Sequence, residues 1–268
     1  MKKILYVSGT RADYGLMKSA LMDIKNHSNL QLEILVTGMH LMKKYGHTFK
    51  EIKNDGFKIK KVKEVYKKDD YESMAIFLGN FVKKLTPAVS KIKPDIILIL
   101  GDRAEALGTA IVGAYLNIPV AHLHGGEVSS TVDEIARHAI TKLSHIHLTT
   151  TEKSAERILK MGEKSSKIYV VGAPGLDQMV NQQIAQKEEL FEKLGLKNEK
   201  TILVIQHPVT LEIESAEKQM EETLNAIKKI GLQNVIIYPN ADAGNTRIIN
   251  VINKFKNEPN FKIFKNLD

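Results

Sequence analysis

Short apolar runs alternate with amphipathic stretches along the whole chain. Residues 96–100 form a continuous apolar run that ends at Gly101, the pattern of a strand covered on both faces of a parallel sheet. Residues 74–90 instead carry apolar side chains at helical spacing, including Phe77 and Phe81. The alternation of such segments predicts βαβ units, and therefore an α/β protein with doubly wound, Rossmann-like sheets.

The same patterns divide the chain into elements. Strands are predicted at residues 2–8, 32–37, 96–100, 120–123, 145–149, 168–171, 201–205, 234–238 and 261–264. Helices are predicted at residues 14–25, 74–90, 103–115, 132–143, 151–161, 176–194, 216–230 and 246–255. Gly and Pro residues at 172–175 predict a hinge. We therefore predict an N-terminal Rossmann-like domain at 1–174 and a partial C-terminal Rossmann-like, nucleotide-binding domain at 175–268, with only three strands in the second.

Composition narrows the class of protein. Of the 268 residues, 43% are hydrophobic and 26% are charged, as in soluble globular proteins. The absence of cysteine excludes a disulfide framework and a thiolate metal site, and fits a reducing, cytoplasmic compartment. The first apolar run is too short for a signal peptide, and no segment approaches the roughly 20 apolar residues of a membrane span.

The formal net charge of +8 raises the question of a nucleic-acid partner. The lysines are scattered over amphipathic segments, as at residues 43–44 and 58–63, and the chain has no tryptophan, Arg-rich run or RNA-binding signature. Solvated protein faces are the favoured interpretation, so we expect neither a nucleic-acid nor a membrane partner. A positive field would still attract an anionic small substrate.

The segment GTRADY, residues 9–14, follows the first predicted strand. Gly9 permits a tight turn, backbone N–H groups at the helix start can receive a phosphate, and Arg11 can add a charge clamp. The segment is not a G-x-G-x-x-G motif, so no nicotinamide cofactor is indicated. A phosphate site and an ordinary α/β turn both remain open at this point.

Titratable residues also follow the strands at 96–100 and 120–123. Asp102 comes directly after the first, where helix N-capping with Glu105 as a capping-box partner is the simpler interpretation. Since ligands bind at the carboxyl ends of strands in open α/β sheets, a site is nevertheless expected at this edge.

The second of these strands ends in HLHGGE, residues 122–127. His122 and His124 have a spacing that is compatible with zinc, but the chain offers no cysteine and no clear third ligand, which disfavours a metal site. The two glycines that follow would let the backbone approach a ligand closely. Glu127 adds a nearby carboxylate.

Further candidates lie on the next helix. Asp133 opens the helix at 132–143, where the helix dipole favours a carboxylate whatever its role. Arg137 and His138 follow one turn later.

Two loops of the second half complete the set. His207 follows the strand at 201–205, where it is suited to acid, base or phosphate-donor chemistry, although a purely structural role is equally compatible with the sequence. Asn240 and Asp242 lie in a turn-rich loop after the next strand. Because these polar clusters all follow strand ends in both halves, we expect them to share one cleft.

Six motifs together resemble a known family. GTRADY, GDRAEAL, HLHGGE, VDEIARHAITK, QHPVT and PNADAG closely resemble, in this order, segments of the hydrolysing UDP-N-acetylglucosamine 2-epimerases of sialic-acid biosynthesis. The resemblance implies a glycosyltransferase-B-like architecture of two Rossmann-like halves with the nucleotide sugar between them. It also implies elimination of UDP from UDP-N-acetylglucosamine to a 2-acetamidoglucal, hydration to N-acetylmannosamine, and no metal or redox cofactor.

The resemblance assigns roles to individual residues. Asp102 and Asp133 match catalytic carboxylates, His207 a histidine near the phosphates, and Arg11 a basic residue of the first turn. Family members often carry Glu at the position of His124, and Glu127 would compensate for that change; which group takes the C2 proton stays open. The predicted catalytic residues are Asp102, His124, Glu127, Asp133 and His207. The predicted substrate-binding residues are Arg11, Asp13, Arg103, Arg137, His138, Asn240 and Asp242.

The family comparison also sets an expectation for the second domain. Family members continue past the position of Asp268 into a Ser- and Gly-rich helix start and a final helix, so we expect weak UDP binding and little turnover from these 268 residues. The alternatives are a non-hydrolysing 2-epimerase and a non-catalytic sugar-nucleotide-binding module; a glycosyltransferase is disfavoured. A homodimer is the expected assembly, because that symmetry is common among enzymes.

Overall fold

Strands and helices alternate through the chain in a computed structural model that describes residues 1–129, 132–181 and 185–267. The strands are β1 Lys2–Ser8, β2 Leu30–Val36, β3 Ile59–Lys61, β4 Ile96–Leu100, β5 Val120–Leu123, β6 Ile146–Thr149, β7 Ile168–Val170, β8 Thr201–Ile205, β9 Gln233–Ile237 and β10 Phe261–Phe264. The α-helices are α1 Arg11–Asn26, α2 Phe49–Asn54, α3 Tyr71–Ile92, α4 Ala104–Tyr115, α5 Val132–Leu143, α6 Glu152–Lys160, α7 Gly175–Asn181, α8 Lys187–Leu194, α9 Ala216–Ile230 and α10 Asn245–Lys254. None of the helices described is long and apolar enough to cross a membrane.

The predicted elements are largely confirmed, with three differences. Strand β3 and helix α2 were not predicted, because the lysines of β3 and the short length of α2 obscure any periodicity. The single helix predicted at 176–194 is wrong, because Gln186 has an extended backbone and α8 begins after it. Since β3 is an edge strand, its lysines protect that edge from pairing with another chain.

The first compact unit contains a seven-stranded parallel sheet with the order β3-β2-β1-β4-β5-β6-β7. The chain builds outward from β1 through β2 to β3, then returns to the other side of β1 and continues from β4 to β7. The strand order therefore reverses between β1 and β4. In doubly wound sheets, ligands bind outside the carboxyl ends of the strands at such a switch point.

Buried side chains hold this sheet between its helices. Tyr6 of β1 packs in one core cluster with Met17 and Leu21 of α1 and Ile34 of β2. On β4, Ile97 and its neighbours are buried, as expected for a strand covered on both faces. Packing of these side chains fixes where β1 and β4 end relative to each other, and therefore where the loops that follow them lie.

The second compact unit contains a three-stranded parallel sheet with the order β10-β9-β8. Its own core includes Val204, Leu224, Ile236 and Ile252. Two short segments from the first half of the chain, Lys44–Gly46 and Lys67–Met74, also belong to this unit. Nothing in the sequence pattern predicted these two segments there.

The predicted hinge at residues 172–175 lies within the first compact unit, which continues to Gln182. The Ser19 hydroxyl of α1 donates to the Pro174 carbonyl, and a Cβ at Gly175 would lie 2.6 Å from Leu16, so helix α7 packs tightly on α1 in the first unit. A domain boundary between residues 174 and 175 stays a prediction.

Candidate active site

A cavity of about 230 Å³ lies at the carboxyl ends of β1 and β4, at the switch point of the first unit's sheet. Apolar side chains line one part of it, including Leu16, Leu100 and Ala106. The titratable side chains around it come from the loops after β4 and β5 and from helices α1, α4 and α5. They are Asp13, Asp102, Arg103, Glu105, His124, Glu127 and Arg137.

Asp102 forms an ion pair with Arg137 of α5 in this cavity. Arg137 is only 8% exposed, so its guanidinium needs a partner that remains charged. The interpretation of Asp102 as a helix N-cap is wrong, because Arg103 occupies the N-cap position of α4 and no side chain caps that end. The carboxylate of Asp102 is instead turned toward the site.

His124 faces the cavity from an unusual backbone conformation with φ of 62°. Its Nδ1 lies 3.1 Å from a carboxylate oxygen of Glu127, and its Nε2 is buried with no hydrogen-bond partner among the described residues. Burial lowers the pKa of His124 from its ordinary value of 6.5, although Glu127 acts in the opposite direction. A neutral imidazole that donates from Nδ1 to Glu127 keeps the lone pair of Nε2 available.

Glu127 connects the imidazole to the rest of the site. One of its oxygens accepts a hydrogen bond from the Thr150 hydroxyl at 2.9 Å and contacts His124; the other lies 4.0 Å from Arg137. The sequence predicted Glu127 but not Thr150, which directly follows β6. The group therefore combines two carboxylates, one guanidinium and one imidazole.

Glu105 is a site residue whose role was misassigned from the sequence. It is 3% exposed, accepts a hydrogen bond from Tyr66 at 3.3 Å and lies 3.5 Å from the Arg103 guanidinium, so the capping-box role is wrong. Gly9 and Gly38 make room for it, since a Cβ on either would come within 2.6 Å of its side chain. Two glycines at neighbouring strand ends are the sequence signal that would have pointed to a bulky group between them.

The β1–α1 turn is stabilised by Asp13. Its carboxylate accepts hydrogen bonds from the backbone N–H groups of Gly9 and Thr10, at 2.9 and 2.7 Å, and from the Tyr6 and Ser8 hydroxyls. The Thr10 hydroxyl in turn accepts from the Asp13 N–H, which completes a capping box. These amides already have an intramolecular partner, so the turn as it stands favours the ordinary α/β interpretation over a phosphate site.

Arg11, Asp133 and His138 do not line the cavity. Arg11 forms an ion pair with Glu51 at 2.8 Å. Asp133 is half-buried in the first turn of α5, directly after residues 130–131, which lie outside the described chain. His138 has a buried Nδ1 without a hydrogen-bond partner in the described residues.

His122 has a structural role beneath the site. Its Nε2 donates to the Gly101 carbonyl at 2.7 Å, and the Thr141 hydroxyl lies 3.4 Å from its Nδ1. Complete burial lowers its pKa to about 3, so it is neutral. With one nitrogen committed to a carbonyl, His122 is not arranged to share a metal with His124, and no group of three or more His, Asp or Glu residues suited to a metal occurs in the described chain.

The predicted residues of the second unit lie together after β8 and β9. The backbone N–H of Asn240 donates to His207 Nδ1 at 3.1 Å, and the Asn240 side-chain amide donates to the Asp242 carboxylate. His207 is exposed, whereas Asp242 is 8% exposed. The sequence therefore predicted a genuine cluster here, although not the contact that fixes the imidazole.

Comparison with known proteins gives this geometry a family. A family model described as UDP-N-acetylglucosamine 2-epimerase matches residues 22–268. The chain is 42% identical, over 100% of its length and 71% of the relative's, to a UDP-N,N'-diacetylbacillosamine 2-epimerase (hydrolyzing) of Legionella pneumophila. It is 39% identical, over 96% of its length and 68% of the relative's, to a UDP-N-acetylglucosamine 2-epimerase of Neisseria meningitidis.

Solved structures show the same fold. The crystal structure of UDP-GlcNAc 2-epimerase from Neisseria meningitidis bound to UDP-GlcNAc superposes with a TM-score of 0.76 at 20% identity, covering 99% of this chain and 72% of that one. The predicted α/β, glycosyltransferase-B-like fold is thereby confirmed. With a family model across residues 22–268 and relatives at 42% and 39% identity, the chain belongs to the UDP-N-acetylglucosamine 2-epimerase family.

Proposed function

We propose that the protein is a hydrolysing 2-epimerase that converts UDP-N-acetylglucosamine to UDP and N-acetylmannosamine, a reaction of sialic-acid biosynthesis. In the first step a base removes the proton at C2, the C1–O bond to UDP breaks, and a C1–C2 double bond forms. In the second step water adds its hydroxyl to C1, and a proton returns to the opposite face of C2. The acid of the second step and the base of the first must therefore lie on opposite faces of the sugar.

The buried Nε2 of His124, which has no hydrogen-bond partner among the described residues, is the observation that carries this proposal. It is a buried nitrogen of a side chain that lines the cavity, and burial lowers the pKa of this imidazole, which favours the uncharged ring. With its proton on Nδ1, toward Glu127, the ring keeps a lone pair on Nε2. Glu127 orients the ring through Nδ1 and stabilises the cation that forms when Nε2 takes the C2 proton. We assign His124 as the base of the elimination step.

Carboxylates supply the opposite face in this mechanism. Asp102 lines the cavity and pairs with Arg137. Asp133, in the first turn of α5, does not line the cavity and is included because it matches a catalytic carboxylate of the family. We assign protonation of C2 and activation of water to this pair. His207 and the Asn240–Asp242 loop of the second unit are proposed to receive the nucleotide, with His207 donating from Nε2 to a phosphate oxygen.

A second candidate substrate is a UDP-2,4-diacetamido sugar. The relative with 42% identity is named for UDP-N,N'-diacetylbacillosamine, a sugar with a methyl group in place of the hydroxymethyl of N-acetylglucosamine. The apolar side chains of Leu16, Leu100 and Ala106 in the cavity suit such a methyl group. A ratio of kcat/KM values for the two UDP-sugars decides between these substrates.

Product analysis in D₂O tests the reaction. The hydrolysing mechanism gives UDP and free N-acetylmannosamine with deuterium at C2, whereas a non-hydrolysing epimerase gives UDP-N-acetylmannosamine. A binding module leaves the UDP-sugar unchanged, and a glycosyltransferase consumes it only with an acceptor. Release of no UDP by a chain that spans the full length of the relatives would refute the enzyme proposal. The His124→Gln variant is the control for any contaminating epimerase.

A further inference from the structure

The segment Lys67–Met74 belongs to the second unit, although its sequence neighbours belong to the first. Its run of charged residues, KKDDYE, looks like an ordinary solvated stretch in the sequence. In the structure, two of its side chains contact the two loops that carry His207 and Asn240.

Asp69 caps helix α10 from this distant segment. One of its carboxylate oxygens accepts from the Gly244 N–H and the Asn245 side-chain amide, both at 2.8 Å, and the other accepts from the Thr246 N–H at 2.7 Å. The local N-cap residue, Gly244, has no side chain to do this and has a φ of 95°. A carboxylate at a helix start accepts hydrogen bonds from backbone N–H groups that have no partner within the helix. These bonds also fix the direction of the loop that leads into the helix.

Asn245 transmits this cap to the loop. Asn245 is 3% exposed. Its side-chain NH₂ group donates to the Asp69 carboxylate and, at 2.9 Å, to the Asp242 backbone carbonyl. Its side-chain oxygen accepts from Lys44 at 2.7 Å and from Tyr45 at 3.1 Å. All of these donors and acceptors are within hydrogen-bonding distance. The loop therefore has little freedom to move while Asp69 is in place.

The loop in turn fixes His207. The Asn240 N–H donates to Nδ1 of His207, so a neutral imidazole carries its proton on Nε2. Tyr71, two residues after Asp69, donates its hydroxyl to the Thr210 carbonyl, three residues after His207. The segment Lys67–Met74 therefore contacts two groups near His207: Asp69 binds the loop that carries Asn240, and Tyr71 binds Thr210.

We propose that Asp69 and Tyr71 are positioning residues that hold His207 as its Nε2–H tautomer, ready to donate to an anionic group of the substrate. The assignment of His207 to the nucleotide rests on the proposed function, but the contacts that fix its tautomer do not. Asp69→Asn breaks the network because an amide has one acceptor oxygen and turns its NH₂ group toward the N–H donors of α10. Tyr71→Phe removes the contact on the other side.

Nitrogen NMR of histidine-labelled protein reads the tautomer directly, and the His207 signal is the one that His207→Gln removes. We expect an unprotonated Nδ1 in the unmodified chain and averaged tautomers in Asp69→Asn. The matched control is Asp70→Asn, which has the same charge change at the neighbouring acid. Asp70 accepts the Ser73 N–H at 2.7 Å instead of contacting α10, so this variant is expected to keep the wild-type tautomer.

Kinetics provide a second readout. We expect kcat for UDP release to fall about tenfold in Asp69→Asn with KM nearly unchanged, and to change less than about twofold in Asp70→Asn, because misplacement acts on the transition state. The proposal is overturned if a folded Asp69→Asn keeps the wild-type tautomer. If that variant does not fold by circular dichroism, a wild-type tautomer in Tyr71→Phe overturns it. If a chain that spans the full length of the relatives releases no UDP, the proposed function fails, but the tautomer still decides the role of Asp69.

Discussion

At the scale of single residues, His124 sets the pH dependence of the proposed reaction. Burial places its pKa below 6.5, and only the neutral form can take the C2 proton. We expect kcat/KM to rise with pH up to that pKa and then to stay level. His124→Gln should lower kcat by about 10²-fold, the scale of general-base contributions.

The matched variant is His124→Glu, which places a carboxylate at the position of the proposed base. A carboxylate titrates lower, at about pH 4.3 when unperturbed, so the rising part of the pH profile should move toward acid. UDP release measured over the pH range of both proteins checks this expectation. An unchanged profile in His124→Glu would show that another group is the base.

Asp102 and Asp133 are predicted to be needed for turnover. Asp102→Asn and Asp133→Asn should each lower kcat by about 10²-fold or more. Asp102→Asn should also reduce stability, because it leaves the buried Arg137 with a weaker partner. The control is Asp95→Asn, which weakens an exposed ion pair with Lys2 outside the cavity. Activity near the wild-type value in both site variants would remove these carboxylates from the mechanism.

Sequence motifs identified His124, Asp102 and Glu127 because strand ends in a parallel sheet meet at one edge. They could not show that Arg137 pairs with Asp102, 35 residues away in the sequence, since that contact depends on how α5 packs against α4 and β5. For the same reason the sequence could not show that Asp13 holds the β1–α1 turn together; its role in substrate binding stays a prediction. Its donors lie on β1 and in the turn, and only the folded backbone brings them to one carboxylate.

At the scale of elements, a strand can be recognised in the sequence only when it is buried enough to need a run of apolar residues. Strands β1 and β4 were predicted with the correct bounds because a short continuous apolar run that ends at a glycine is typical of a buried strand. Strand β3 has one apolar residue followed by two lysines, and nothing local distinguishes it from a loop. The capping of α10 by Asp69 is equally hidden, because the two partners are 175 residues or more apart in the sequence.

Two glycines should respond in opposite ways to alanine. At Gly38, φ is +54° and a Cβ would clash with the Glu105 carboxylate, so Gly38→Ala should lower the free energy of unfolding by about 2 kcal/mol. At Gly79, inside α3, the added Cβ would meet no atom within 4 Å apart from the neighbouring helix backbone, and Gly79→Ala should raise the free energy of unfolding by about 0.5–1 kcal/mol through helix propensity. Urea unfolding measures both. Equal stability of the two variants would mean that Glu105 moves aside at no cost.

At the scale of the whole molecule, buried histidines should weaken the fold in acid. The pKa of His122 falls from 6.5 in the unfolded state to about 3 in the folded state, so between these pH values the unfolded chain binds a proton that the folded one excludes. Stability is therefore unaffected above pH 6.5 and is lost as pH falls below it, by about 1.4 kcal/mol per pH unit for this one group. His122→Gln should flatten the dependence measured by urea unfolding, whereas His27→Gln, at an exposed residue, should leave it as steep as in the wild type.

The net charge of +8 predicts that the affinity for an anionic nucleotide depends on the salt concentration. A positive field raises the local concentration of an anionic nucleotide, and salt screens that field over a Debye length of about 8 Å at 0.15 M. We expect the Kd for UDP to rise severalfold between low and high NaCl concentrations. Uridine has the same base and sugar but no charge, so calorimetry should find its Kd nearly independent of salt. Parallel salt dependence of the two ligands would mean that ions act on the protein itself, and that the lysines serve only to solvate its surface.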